Sequence, residues 1–195
     1  KDSTFFDFET TDSLGINIIV ADEYAEVSAE ISILIRDINE APILADQSYT
    51  IFENVIDGFV LDTLKASDDD LDPVTYVILS GNELGAFTLT SGGALLVADS
   101  SLIDFESTPA FNLAVQISDG VLTNDLSIQI DVTNVNEGPG LTGKLLSLNE
   151  NSPTGTVVTE LLGIDPENDP LTYSILSGND LGAFAINGNQ LTVAE

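Results

Sequence analysis

Apolar and polar residues alternate with a period of two along much of this chain. One run of alternating positions is formed by Phe111, Leu113, Val115 and Ile117, and a second lies between positions 126 and 132. Alternation of this kind is typical of β-strands with one buried face, whereas the spacing of an amphipathic helix is scarce here. The pattern therefore predicts an all-β fold.

The segment from Glu40 to Asn136 predicts about seven strands, which are separated by turn signals such as Ser80-Gly81-Asn82. The predicted strands span residues 48–53, 59–66, 74–80, 86–89, 94–98, 111–118 and 126–135. Seven short strands in roughly 100 residues indicate a Greek-key β-sandwich of the immunoglobulin-like type.

The chain repeats itself at an offset of 97 residues, so that Asp7-Phe8-Glu9 returns as Asp104-Phe105-Glu106. A period of this length suits a whole domain better than a solenoid unit. The sequence then divides into the C-terminal half of one repeat (1–39), a complete repeat (40–136) and the N-terminal part of a further repeat (137–195). The total content is two tandem seven-stranded sandwiches.

The two partial repeats are complementary, because residues 1–39 match the last strands of the complete repeat and residues 137–195 match its first five. Either the chain is a window on a longer continuous array, or separate chains complete one another head to tail as a filament. Covalent continuity avoids the entropy cost of association, so we favour the continuous array. This prediction places residue 195 beside the start of the next copy, inside a single sandwich.

Composition limits the partners and the metal ligands that this chain can use. Asp and Glu outnumber Lys and Arg 33 to 4, which gives a formal net charge of −29 and excludes nucleic acid as a partner, since its phosphates would be repelled. The chain has no Cys and no His, so oxygen ligands for hard cations remain, calcium above all. A salt-adapted surface is the alternative that composition leaves open. No apolar run is long enough for a membrane-spanning helix.

Acidic motifs recur with the repeat. They are Glu53 in Phe-Glu-Asn, Asp68-x-Asp70, Asp104-x-Glu106, Asp119 in Ser-Asp-Gly, and the Asn-Glu-Gly-Pro linker around Glu137. In this order the motifs resemble the cadherin repeat, especially its bacterial surface-protein form, and the resemblance covers the whole chain. It implies calcium at the junction between successive repeats, held by carboxylates of the upstream repeat, the linker and the downstream repeat.

Carried over residue by residue, the resemblance implies the following ligand sets. The first junction would use Asp7, Glu9, Asp37, Asn39, Glu40, Asp68, Asp70 and Asp119. The second would use Glu53, Asp104, Glu106, Asn134, Asn136, Glu137, Asp165 and Glu167. Where the partial repeats complete one another, Glu150 would join Asp7 and Glu9, and Asp22 would join Asp165 and Glu167.

This chain departs from the family pattern in three places. Its linker is one residue shorter, Asn134 replaces an acid, and Glu167 replaces an Asp. Because fewer charged ligands generally weaken calcium binding, these departures bear on how many ions each junction holds.

The interpretation is a non-enzymatic, calcium-rigidified array of cadherin-like domains at an extracellular or cell-surface location, in an adhesin, a filament or a biofilm matrix. Paired carboxylates also hydrolyse glycosides, but these acids recur in every copy, as structural ligands do. The alternative is a module that recognises carbohydrate or protein, with extracellular polysaccharide as a candidate partner beside neighbouring repeats. An exposed aromatic row would favour that module, whereas Tyr76, Tyr173, Phe87 and Phe184 are predicted to fill the core.

Overall fold

The computed structural model describes residues 6–194, and the chain forms two compact units, residues 1–133 and 134–195. Over the described residues the regular structure is strands and one short 3₁₀ turn, Ser100–Leu102. The predicted all-β fold is therefore confirmed. None of the helical structure found in residues 6–194 is long and apolar enough to cross a membrane. The predicted meeting of residue 195 with the start of another copy lies outside the described residues.

The first unit opens with a hairpin of β1 (Ser13–Ala21) and β2 (Glu26–Leu34). The two strands pair antiparallel over their whole length and form a two-stranded sheet of their own. The side chain of Asp22 shapes the turn between them, because its Oδ1 accepts hydrogen bonds from the backbone N–H groups of Tyr24 (2.9 Å) and Ala25 (2.8 Å).

A seven-stranded sandwich, here called the central sandwich, follows the hairpin. Its strands are β3 (Gln47–Phe52), β4 (Val60–Thr63), β5 (Thr75–Ser80), β6 (Phe87–Leu89), β7 (Ala94–Val97), β8 (Ala110–Ser118) and β9 (Thr123–Thr133). One sheet has the order β3-β9-β8-β5 and the other β4-β7-β6. β3 runs parallel to β9, and the other neighbours are antiparallel. All seven predicted strands are present, with bounds that differ by three residues or fewer.

The core of the central sandwich is formed by alternate residues of β8 and β9 facing β6 and β7. Val115 and Ile128 have no exposed surface and Leu113 is 1% exposed, while Leu95 is fully buried on the opposite sheet. The ring of Phe87 meets that of Phe111 edge to face, with centroids 5.0 Å apart, which is a preferred aromatic geometry.

Hairpin β1–β2 repeats β8–β9 at the offset of 97 residues, except that β2 ends two positions earlier than β9, and it carries the same apolar alternation. Its apolar face is nevertheless open. Ile18 is 48% exposed where Val115 is buried, and Ile31 is 47% exposed where Ile128 is buried. Alternation of apolar and polar residues therefore favours a strand, but burial of the apolar face also requires an opposing sheet.

The second unit contains the counterparts of the smaller sheet. Its strands are β10 (Gly140–Leu141), β11 (Val157–Glu160), β12 (Gly163–Ile164), β13 (Phe184–Asn187) and β14 (Gln190–Val193). The sheet β11-β14-β13 repeats β4-β7-β6, and the pair β10–β12 repeats the bridge between Ile43 and Ser67.

Two segments of the second unit are irregular although their sequences match strands. Residues 144–149 correspond to β3 and residues 172–177 to β5. In the central sandwich β3 pairs with β9 and β5 with β8, and residues 134–194 contain no counterpart of β8 or β9. The absence of these pairing partners explains why the two segments are not strands. The predicted domain boundaries at 39/40 and 136/137 stay a prediction.

The repeat supplies a matched test of the core. Ile128→Ala should lower the free energy of unfolding by about 2–5 kcal/mol, because it leaves a cavity between the sheets. Ile31→Ala, the same substitution at the repeat-equivalent exposed site, should change it by about 0.5 kcal/mol or less. Urea denaturation at low chain concentration measures both, and equal losses would contradict the assignment of β8–β9 as the core hairpin.

Candidate metal centre

Four carboxylates of the first unit converge at one point. Glu9, Asp37, Glu40 and Asp70 each offer an oxygen, and these oxygens all lie within 4.8 Å of one another. We call this group the carboxylate cluster. Calcium takes six to eight oxygen ligands at about 2.3–2.6 Å, and oxygens this close together are what such a site requires.

Glu9 is positioned by a turn that Asp7 closes. The carboxylate of Asp7 accepts hydrogen bonds from the backbone N–H of Thr10 (3.1 Å) and from its hydroxyl (2.9 Å). The Asp7 carbonyl accepts the N–H of Thr11 (2.8 Å). The hydrogen bond from the Thr10 hydroxyl is the largest cause that lowers the pKa of Asp7. Asp7 therefore stays ionised while it holds the turn that presents Glu9.

The linker is pinned to the central sandwich by polar contacts. The N–H of Glu40 donates to Oδ2 of Asp70 (2.9 Å). The Asn39 side-chain amide donates to Oδ2 of Asp119 (2.8 Å) and to the carbonyl of Glu40 (2.9 Å). The hydrogen bond from Asn39, followed by the N–H of Val121, lowers the pKa of Asp119. Asn39 thus connects the linker to the turn between β8 and β9.

Asp68 is a buried carboxylate with one oxygen available. It is 9% exposed, and its Oδ1 accepts the N–H of Asp72 (3.1 Å) across a turn in which Leu71 has a positive φ of 64°. Its Oδ2 is buried and has no hydrogen-bond partner. An unsatisfied buried carboxylate oxygen is costly, and a cation is an effective way to satisfy it.

The carboxylates of the cluster repel one another. A hydrogen bond from its own backbone N–H lowers the pKa of Glu9, but desolvation and repulsion by Asp37 and Glu40 outweigh it, and the net pKa is raised. Desolvation, followed by repulsion from Asp70 and Asp37, raises the pKa of Glu40. Like charges this close disfavour ionisation unless a cation compensates them. The all-oxygen donor set and this uncompensated charge both suit calcium.

The opposite end of the central sandwich carries a second acidic group. Glu53 is 7% exposed, and its Oε2 accepts the N–H of Phe105 (2.7 Å). A carboxylate oxygen of Glu53 lies within 4.8 Å of one from Glu106. Asp104 accepts the N–H of Glu106 (3.2 Å) and the hydroxyl of Ser107 (2.5 Å), and the latter is the largest cause that lowers its pKa.

The length of strand β9 gives the separation between the two acidic groups. It begins beside the turn that holds Asp119, and it ends at Thr133, whose carbonyl accepts the N–H of Glu53 (3.2 Å). Its 11 residues, at about 3.3 Å each, place the two groups roughly 36 Å apart. The central sandwich therefore presents acidic residues at both of its ends.

The second unit repeats the arrangement around Asp68 and the linker. Asp165 is 8% exposed and accepts the N–H of Asp169 (2.9 Å). The Asn136 amide donates to the carbonyl of Glu137 (2.9 Å), whose own N–H donates to Oε1 of Glu167 (3.3 Å). Glu167 therefore makes the contact that Asp70 makes in the first unit, with a longer side chain.

The remaining candidates have simpler surroundings. Asp22 repeats the turn geometry of Asp119, and the N–H of Tyr24 is the largest cause that lowers its pKa. Glu150, the counterpart of buried Glu53, is exposed. Asn134 is the first residue of the second unit. The metal-ligand role of every candidate stays a prediction.

Sequence reasoning missed two tyrosine hydroxyl contacts to the backbone shortly before Asp68 and Asp165. The Tyr76 hydroxyl accepts the N–H of Ala66 (2.8 Å), and Tyr173 does the same for Gly163 (3.0 Å). Both tyrosines were predicted only to fill the core. The available signal was their fixed distance from Asp68 and Asp165 in both copies.

Comparisons with known proteins agree with this fold. No protein-family model matches the chain. It is 30% identical over 200 residues to protocadherin Fat 2 of Rattus norvegicus, across 92% of this chain. It is 32% identical over 173 residues to protocadherin Fat 4 of Homo sapiens, across 79% of this chain. The chain spans only 5% and 3% of the length of these two relatives.

Solved structures of cadherin domains are also similar to this chain. The mouse cadherin-23 EC22-24 structure matches 96% of this chain, and 65% of its own, with a TM-score of 0.64 and 25% identity. Protocadherin gamma B2 extracellular cadherin domains 1-5 match 97% of this chain, and 40% of their own, with a TM-score of 0.63 and 24% identity.

The fold and these similarities define cadherin-like domains. The predicted cadherin-like fold and the predicted extracellular or cell-surface location are confirmed. The relatives named above are animal proteins, so they give no support to the bacterial form of the family.

The Asp68 turn generates a test of backbone strain. Leu71 adopts a left-handed φ that costs a branched residue about 1–2 kcal/mol, and Asn168 occupies the equivalent position in the second unit with a φ of 61°. Leu71→Asn should raise the free energy of unfolding by about 1 kcal/mol.

Leu84→Asn is the control for Leu71→Asn. Leu84 is 79% exposed, similar to Leu71 at 88%, but its φ is not positive. Thermal denaturation compares the two variants, and an equal response would contradict the strain at Leu71.

Proposed function

We propose that this chain is a non-enzymatic, calcium-binding array of cadherin-like domains with a structural or adhesive role. The observation that carries the proposal is the carboxylate cluster. Glu9 belongs to the turn before hairpin β1–β2, Asp37 and Glu40 belong to the linker, and Asp70 belongs to the central sandwich. Three successive parts of the chain therefore contribute charge to a single point.

The residues of the cluster explain how binding would control geometry. When bound, calcium would supply positive charge and accept the clustered oxygens as ligands. Asp7 holds the turn of Glu9, and Asn39 ties the linker to Asp119, so the linker and the two turns are already oriented. Asp68 contributes an oxygen with no other partner. Neutralising the repulsion fixes the linker, so neighbouring repeats are held at one angle.

A second junction is proposed from the sequence repeat alone, and it pairs the acidic motifs of one repeat with those of the next. Its members are Glu53, Asp104, Glu106, Asn134, Asn136, Glu137, Asp165 and Glu167. Neighbouring repeats and calcium are the proposed partners. Membership of a bacterial surface adhesin or matrix filament belongs to the same proposal and rests on the sequence resemblance alone.

The alternative is a module that recognises polysaccharide or another protein, and it needs aromatic rings aligned on an exposed face. Phe87 and Phe111 form the one ring contact described for residues 6–194, and the ring of Phe87 is buried in the core at 2% exposure. This contact favours a structural role for these two aromatic residues, and the carboxylate cluster makes the array the preferred function.

Calcium removal tests the proposal directly. A cation bound only by the folded chain adds stability by mass action, about 2.7 kcal/mol at a hundred times its dissociation constant. Excess chelator should therefore lower the melting temperature, and small-angle scattering should show a broader range of inter-domain angles. Unchanged melting and scattering in chelator would overturn the proposal.

Glu40→Gln should stabilise the calcium-free protein but weaken calcium binding. The raised pKa of Glu40 means that its ionised form destabilises the folded chain above the ordinary pKa. Calcium-free protein should therefore be more stable in the variant, and its stability should increase less as the pH falls from neutral. Calcium affinity should fall, because one charged ligand is lost.

Glu83→Gln is the control for Glu40→Gln. It removes the same charge outside the cluster and leaves an oxygen that can accept the N–H of Gly81 (2.9 Å). Calorimetric titration and melting measure both variants. Equal calcium affinity in Glu40→Gln and in the control would contradict the role of the cluster.

A further inference from the structure

The sequence contains three dipeptides in which Asp or Asn precedes glycine. Glycine has no side chain to shield its backbone nitrogen, so this nitrogen can reach the side-chain carbonyl carbon of the preceding residue and close a five-membered ring. Whether the ring forms depends on how firmly the structure holds the two groups. The three dipeptides are Asp57-Gly58, Asp119-Gly120 and Asn187-Gly188.

Hydrogen bonds hold the first dipeptide on both sides. The N–H of Gly58 donates to the carbonyl of Val97 (2.8 Å), and Oδ1 of Asp57 accepts the N–H of Ser100 (2.7 Å). Ring closure at this dipeptide would have to break both hydrogen bonds.

The second dipeptide lies in the turn between β8 and β9 and is held in a similar way. The N–H of Gly120 donates to Oγ of Ser118 (3.0 Å). Oδ1 of Asp119 accepts the N–H groups of Val121 and Leu122, each at 2.6 Å. The attacking nitrogen and the side chain are therefore both engaged here as well.

The third dipeptide lies at the tip of hairpin β13–β14 and is not held. Asn187 ends β13 and pairs with Gln190 across a two-residue turn, in which Gly188 has a positive φ of 62°. Asn187 and Gly188 are both exposed. Within residues 6–194, neither the side-chain amide of Asn187 nor the N–H of Gly188 has a hydrogen-bond partner. The attacking nitrogen and the side-chain amide are therefore both accessible.

This exposure does not depend on how much of the repeat the sequence contains. In the central sandwich, which has all seven strands, the equivalent residues Thr90 and Ser91 are exposed too. Nothing lies within 4 Å of a Cβ atom built on the neighbouring Gly92. The tip of this hairpin therefore faces solvent in a complete sandwich, and the two copies differ in its chemistry.

We propose that Asn187 is a site of spontaneous deamidation. The N–H proton of Gly188 passes to hydroxide, the nitrogen attacks Cγ of Asn187, and the new N–C bond closes a succinimide ring. The side-chain nitrogen takes a proton from water and leaves as ammonia. Water then opens the ring at either carbonyl, which yields aspartate or isoaspartate. The reaction needs water and hydroxide alone, and no electrons are transferred.

The modification changes both charge and strand pairing. Either product adds a negative charge to a chain whose formal net charge is already −29. Isoaspartate also moves Cβ into the main chain, so the pair of Asn187 with Gln190 loses its regular geometry. β13 is an edge strand that pairs with β14, so this end of the strand is loosened. The proposal is independent of calcium binding.

Peptide mapping by mass spectrometry of the full 195-residue chain tests the site. In the folded chain, Asn187 should deamidate within about tenfold of its rate in urea, because the end of a hairpin opens at little cost. The rate should rise with pH, since the attacking nitrogen must lose its proton. A larger difference between the folded chain and the chain in urea would overturn the proposal.

Asp57→Asn is the matched control, because it places an Asn-Gly dipeptide where hydrogen bonds hold it. The new amide oxygen can still accept the N–H of Ser100, and the N–H of Gly58 still donates to Val97. In urea, positions 57 and 187 of this variant should deamidate at similar rates. In the folded variant, position 57 should react at least about a hundredfold more slowly than in urea. Equal ratios of folded to urea rates at the two positions would overturn the assignment.

Asn187→Thr tests the consequence for the hairpin. It introduces the residue that stands at the equivalent position of the central sandwich, Thr90. Prolonged incubation of the original chain should speed hydrogen exchange at residues 184–187 as isoaspartate accumulates. Asn187→Thr should show no deamidation at this position and no such change in exchange. Exchange that speeds equally in the variant would contradict the proposed loosening by isoaspartate.

Discussion

Strand pairing to a central hairpin is the interaction on which this structure depends. In the central sandwich, β8 and β9 pair with each other and with both edge strands, and their inward side chains form one wall of the core. Where the hairpin is present, all seven strands form. Residues 134–194 contain no such hairpin, and the counterparts of both edge strands are irregular there, although residues 172–177 differ from β5 at a single position. Backbone pairing therefore decides between strand and loop more strongly than local propensity does.

Electrostatics imposes the second constraint. In the turns and the linker, backbone N–H groups and the amide of Asn39 hold the carboxylates in place. These hydrogen bonds keep groups of like charge close together. Hydrogen bonding lowers the pKa of Asp7 and Asp119, while desolvation, followed by repulsion from neighbouring carboxylates, raises the pKa of Glu9 and Glu40. An arrangement that fixes some carboxylates and crowds others suits an external positive charge, as the proposed function requires.

Much of this organisation could be predicted from the sequence, because it depends on periodic signals. The alternation of Leu113, Val115 and Ile117 gives the strand and its buried face, and the 97-residue offset gives the order of the elements. Alternation alone does not give the exposure of Ile18, because burial depends on a facing sheet. The turn at Leu71 was also missed, since a positive φ at leucine has no sequence signal. The hydroxyl contact of Tyr76 depends on three-dimensional packing.

The parallel pairing of β3 with β9 has a mechanical consequence. The central sandwich begins at β3 and ends at β9, and these two neighbours run in the same direction over Gln47–Phe52 and residues 128–133. Tension along the chain pulls the start of β3 and the end of β9 apart, so their interstrand hydrogen bonds are loaded in shear and must break together. An antiparallel pair pulled from one end would instead open one bond at a time. This topology therefore gives the domain resistance to stretching along the direction in which a tandem array bears load.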